Sequence, residues 1–245
     1  TAGEWLVVRL PCLAEEGDLL GREPGEPLWP EFGFDAEWAE QRKVEVGSYT
    51  WSALYQQRPS PAEGNIIKRE WFRYYQTIDL SEMDEVILSW DMAFKDKASS
   101  SYVVGQVWGR KGANAFLIDQ VRRKMDFPAT QRAFKRMVER YPMAGAKLVE
   151  DKANGPAIVD SLKSTIPGII AVSPHGSKEA RLHAVSPEIE AGNVHIPMNA
   201  PWVDDFVEEI VSFPYGEYDD QLDAMTQALQ RFKRPREVRA VPSLY

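Results

Sequence analysis

Cysteine is almost missing from this sequence of 245 residues: Cys12 stands alone, so no disulfide can close within the chain, and a reducing, intracellular setting is expected. Histidine is scarce too. His175, His183 and His195 lie too far apart for a compact ligand pattern and have no cysteine partners, which speaks against a zinc site. Any metal must therefore be held by oxygen. No long stretch lacks charge, so no membrane span is expected, and no signal-peptide pattern opens the chain. The phosphate-cradling pattern G-x-x-x-x-G-K-[ST] occurs nowhere, which leaves no P-loop for ATP hydrolysis. Cations are outnumbered, 29 Lys and Arg against 37 Asp and Glu, for a net charge of −8. That balance argues against a protein that coats nucleic acid by bulk attraction, because nonspecific affinity comes from cations that neutralise phosphates. A local basic groove is compatible with it, and acids gathered round a bound cation lower the net charge while leaving that spot positive.

What is present divides into two parts. Up to about Gln76 the chain has turn signals and no sustained period, with a stretch rich in Gly, Pro and Glu from Gly17 to Phe34 that reads as a long ordered loop. Asp35 is placed to cap a helix through Lys43, and Tyr49 to Gln57 reads as a second helix stopped by Pro59 and Pro61. From Glu85 the pattern is regular. Val86 to Phe94 (VILSWDMAF) is a nearly continuous apolar run of strand length, as for a strand buried on both faces. Tyr102 to Trp108 and Ala115 to Val121 are two further strands of a meander. Pro128 to Arg140 is an amphipathic helix with Phe134, Met137 and Val138 on one side. Short strands at Lys147 to Glu150, Ile169 to Val172 and Val194 to Ile196 then alternate with helices at Gly155 to Lys163 and Lys178 to Glu190. Helices from Trp202 to Phe213 and Asp219 to Phe232 close the pattern. The order predicts an α/β fold, a mixed sheet flanked by helices and preceded by a loop-rich connector.

Three acidic positions stand out. Asp91 interrupts a buried apolar run, where a carboxylate is costly unless it is paired or bound to a metal; a strand-end turn residue is the equal alternative. Glu150 ends a short strand, just where open sheets place ligands, and an exposed loop acid would look the same. Asp219, Asp220 and Asp223 (YDDQLDAMTQAL) share one side of a helix start. Complementing the helix dipole, worth ~0.3–1 kcal/mol apiece, accounts for one or two of them, whereas three clustered like charges favour a bound cation. Asp204, Asp205, Glu208 and Glu209 lie opposite Val203, Phe206, Val207 and Ile210 and read as a solvated helix face. Oxygen-only ligands suit magnesium or manganese, and two such ions about 3.5–4 Å apart can support phosphodiester hydrolysis.

These motifs resemble a known family. SWDMAFKD (Ser89 to Asp96), VEDKANGPAI (Val149 to Ile158) and YDDQLDAMTQAL (Tyr218 to Leu229) are similar in order to three nuclease motifs of tailed-phage terminase large subunits. Leu10 to Phe32 and Tyr49 to Phe72 look like the segment that joins their ATPase and nuclease domains. The resemblance implies an RNase H-like nuclease domain at residues 79–234, a connector at 1–78 and a tail at 235–245. It implies two Mg2+ or Mn2+ ions, with Asp91 touching both, Glu150 one of them, and the Asp219, Asp220 and Asp223 cluster the other; Asp91, Glu150, Asp220 and Asp223 are the expected catalytic set. Tyr218 stands where the family often has histidine. Lys178 and Arg181 are candidate phosphate contacts, with a solvated helix start as the alternative. The implied activity is cleavage of double-stranded DNA during genome packaging in the host cytoplasm, with the terminase small subunit and portal protein as partners and the ATP-hydrolysing motor outside this sequence. Another RNase H-like enzyme, a resolvase or transposase core, would share the three motifs, and a docking module whose acids bind a structural cation or a protein is the non-enzymatic alternative. The basic run Arg231 to Arg239 reads as a disordered tail.

Overall fold

The computed structural model describes residues 8–58, 66–92, 102–151 and 155–233. The expected tail at 235–245 and the strand residues Ala93 and Phe94 lie outside them. The chain forms two compact units, Thr1–Ile66 and Ile67–Tyr245.

In the first unit, residues 8–34 are largely irregular, as the turn-rich composition predicts. The Asp35 carboxylate accepts a hydrogen bond from Trp38 N at 2.8 Å and so caps α1 (Ala36–Thr50). Gly47, at φ 77°, breaks this helix internally, a conformation for which glycine carries no Cβ penalty. The expected second helix is a single wide turn, Trp51–Tyr55, whose two aromatic rings stack at 5.0 Å.

Among the described residues the second unit is built on seven strands. They are β1 (Arg73–Tyr75), β2 (Glu85–Asp91), β3 (Val103–Lys111), β4 (Asn114–Arg123), β5 (Ala146–Glu150), β6 (Ile169–Val172) and β7 (Val194–Pro197), in the order β1-β7-β4-β3-β2-β5-β6. As expected, β2, β3 and β4 form an antiparallel meander, while β5 and β6 add in parallel to β2. The three-residue β1 pairs in parallel with β7 and has no counterpart in the sequence reading. Helices α2 (Phe127–Arg140), α3 (Gly155–Leu162), α4 (Lys178–Glu190), α5 (Val203–Ser212) and α6 (Asp220–Lys233) flank the sheet. The result is the mixed α/β architecture that the order of elements predicts.

Alternation along β2 divides its residues between two cores. Val86, Leu88 and Trp90 join Phe134 and Met137 of α2 and Leu162 of α3 in one apolar cluster. Full burial of a side chain such as Phe134 stabilises by about 1.5–3 kcal/mol. Ser89 and Asp91 point to the other face, where α6 packs on β2 and β3 with α4 and α5 beside it. The Ser89 hydroxyl donates to Ala224 O at 2.7 Å and accepts from Gln227 Nε2 at 2.9 Å, which joins strand to helix. None of the helices among the described residues is long and apolar enough to cross a membrane.

Candidate metal centre

Three elements deliver the acids. Trp90 pairs with Val149 in the parallel β2–β5 ladder, so Asp91 and Glu150, one residue further, share a row at the carboxyl ends of adjacent strands. Asp223, one turn into α6, comes down on the same row. Asp91, Glu150 and Asp223 are 4%, 7% and 7% exposed, and each offers one oxygen within 4.8 Å of the other two. Neither a turn residue nor an exposed loop acid fits these positions.

Gathering three buried carboxylates has an electrostatic cost. Burial raises the Asp91 pKa well above the usual carboxylate range, and the charges of Glu150 and Asp223 push it further; Lys178 opposes them, and a hydrogen bond with Glu150 adds to the rise. Hard oxygen donors whose mutual repulsion a cation would relieve are a fitting donor set for a divalent metal.

The rest of the expected cluster divides. Asp219 lies outside the three-carboxylate group, at 2.7 Å from Lys178 Nζ. Asp220 also lies outside it, half-buried, with its pKa raised by burial and by Asp219. Lys178 reaches Asp223 as well, at 2.9 Å. Burial works against the Lys178 ammonium, but Asp223 and Asp219 outweigh it and raise its pKa. Arg181 is not the solvated residue of a helix start. It is 5% exposed, and its guanidinium is spent on the Asp223 carboxylate and, at 3.1 Å, on Gly176 O. A phosphate contact needs an accessible guanidinium, so the structure gives Arg181 an internal part: holding Asp223.

Glu209 departs most from the sequence reading. Instead of lying on a solvated face it is 6% exposed, and its carboxylate accepts from Gln221 N at 2.6 Å and Gln221 Nε2 at 2.7 Å. Helical periodicity puts it among exposed acids because it sets α5 against a single core, whereas α6 covers that flank as well.

The matching family model, the terminase RNaseH-like domain, spans residues 88–232 and takes in all three acids. The chain belongs to this terminase family. Solved terminases share its fold. A large terminase from a thermophilic bacteriophage superposes at TM-score 0.58 with 11% identity, over 80% of this chain and 52% of that one. The large terminase nuclease from thermophilic phage G20c, solved with bound magnesium, gives 0.53 and 16%, over 70% of this chain and 99% of the other. The nuclease domain of the bacteriophage SPP1 large terminase, solved with bound manganese, gives 0.50 and 13%, over 69% and 99%. At such identities the likeness establishes the RNase H-like fold. This terminase chain spans about half the length of the first of these proteins. No curated protein sequence matches it.

Proposed function

We propose that this chain is a magnesium- or manganese-dependent endonuclease that hydrolyses double-stranded DNA during phage genome packaging. The observation that carries the reading is the convergence of Asp91, Glu150 and Asp223 from two strands and a helix, with oxygens within 4.8 Å of one another. The terminase family and the bound metals of its G20c and SPP1 neighbours support it. Asp91 is proposed to touch two ions, with Glu150 holding one and Asp223 the other. Asp220, half-buried at the same helix end, is the candidate to join Asp223; Asp219 stands further out with Lys178. Bound ions of this kind make water a nucleophile at neutral pH and stabilise the leaving oxygen of a phosphodiester.

The chain's own residues prepare that site. Asp91 would serve as a ligand in its carboxylate form, which burial disfavours, and Arg181 fixes one oxygen of Asp223 while Lys178 holds the other. Lys178, with its side chain 30% exposed, is the residue proposed to turn to a DNA phosphate. We propose further that residues 1–78 connect to an ATPase motor, that the terminase small subunit and portal are its partners, and that it acts in the host cytoplasm.

Cleavage of supercoiled plasmid with magnesium, manganese or chelator tests the activity. Cutting that requires metal and disappears in Asp91→Ala supports the reading; cutting retained by that variant overturns it. A panel of linear duplex, branched DNA and RNA–DNA hybrid separates packaging-type cleavage from a resolvase-like preference.

A further inference from the structure

Helix α6, which carries Asp223, is buried on several sides. Leu222 and Ala224 are both fully buried, although two residues at about 100° each place them on nearly opposite sides of a helix. Gln221, Asp223 and Thr226 are buried among the apolar residues of the same helix, so apolar packing is not all that sets where Asp223 points.

A buried polar chain helps to set it. Trp108 Nε1 donates to Gln106 Oε1 at 2.8 Å, and Gln106 Nε2 donates to Gln120 Oε1 at 2.8 Å and to Gln221 O at 3.2 Å. Gln120 Nε2 donates to Gln221 Oε1 at 2.6 Å. Gln221 then delivers its backbone N–H and its Nε2 to the two carboxylate oxygens of Glu209. Arg122, on the same row of the sheet as Asp91 through Val104, approaches that carboxylate at 3.1 Å. Gln106, Gln120 and Gln221 are buried with Glu209, so each unmade bond would leave a desolvated group. The rotation of α6 in this structure satisfies them all.

We propose that Glu209 is a positioning residue for the metal centre: through Gln221 it locks the rotation of α6 and so sets Asp223, two residues on, against Asp91 and Glu150. The proposal rests on reading those three acids as metal ligands. Glu209 touches no ligand itself, and it is the terminal acceptor of the chain, the one member that offers two oxygens to two donors of the same residue.

Manganese titration of the full chain by calorimetry, with folding checked by circular dichroism and thermal melts, tests it. Glu209→Gln keeps the shape but supplies one acceptor where two are needed, so it should weaken manganese binding by about tenfold or more, the usual scale for outer partners of metal ligands. The double variant Glu209→Gln with Gln221→Glu reverses donor and acceptor and should restore most of the loss. Leu229→Ala, further along α6 and away from the polar chain, should lower the Tm without moving manganese affinity. Unchanged affinity in Glu209→Gln, or an equal loss in Leu229→Ala, overturns the positioning role alone. A parent protein that binds no manganese overturns the metal reading and this proposal with it.

Discussion

Asp91 and Glu150 stand side by side at the ends of two parallel strands, and their carboxyl groups share a hydrogen bond. Burial and the charges of Glu150 and Asp223 raise the Asp91 pKa, because a buried carboxylate beside like charges is costly. The pair is therefore expected to tie fold stability to pH and, on the proposed function, to metal.

Asp91→Asn should stabilise the metal-free protein at pH 7 by about 0.5–2 kcal/mol, the usual size of a single stabilising substitution. The sign follows from the raised Asp91 pKa: the folded chain holds this proton more tightly than the unfolded chain, so the parent loses stability as pH rises from the ordinary value of 3.8 through the raised one. The advantage of the variant should shrink as pH falls and vanish below that ordinary value. Thermal melts across pH check it; a variant less stable than the parent at neutral pH would count against the electrostatic account.

Added manganese should raise the Tm of the parent and leave Asp91→Asn unmoved. Saturation at roughly 100 times the Kd corresponds to about 2.7 kcal/mol. Scanning calorimetry with and without chelator distinguishes the two proteins.

Lys178→Met removes the ammonium that lies within 3 Å of both Asp219 and Asp223. In chelator it should destabilise the fold by about 1–3 kcal/mol, because Asp223 is left with one fewer partner in a buried site. With manganese present the difference should narrow, since the ion supplies the missing positive charge. A loss of equal size in both conditions would show that Lys178 packs without electrostatic coupling to the centre.

Ser89→Ala should cost about 1–3 kcal/mol, because Gln227 Nε2 loses its acceptor at the strand–helix junction. Urea denaturation measures it. Restoring an acceptor with Ser89→Thr should recover part of the loss, whereas equal stabilities of parent and Ser89→Ala would mean that the junction is held by apolar contact.

Gly105→Ala should be destabilising by about 1–3 kcal/mol, the range for overpacking a core. A Cβ there would meet the Trp90 ring at 2.5 Å. Trp90→Phe in the same chain should relieve part of the strain, and the double-mutant cycle read by urea denaturation decides whether the two positions couple.

Much of the fold was legible because its signals are local. The apolar run of β2, the meander turns and the amphipathic stripe of α2 follow from residues that are neighbours in sequence. Asp91 was visible as the one charge within a buried run, and Asp223 as part of an acidic cluster at a helix start. β1 was not visible: three residues carry too little period to register, and its partner β7 lies 122 residues further along the chain, with Arg73 opposite His195.

The sequence by itself determined the order of the elements from β2 onward, the oxygen-rich character of the candidate metal site and the three motifs that supply it. Only the tertiary structure decided that Asp223 comes within 4.8 Å of Asp91 and Glu150, that Arg181 meets this acid from a buried position, and that Glu209 lies under a second helix instead of in solvent. Periodicity reports which side of a helix is apolar, but burial by a third element and pairing across distant residues are set only when the helices close over the sheet.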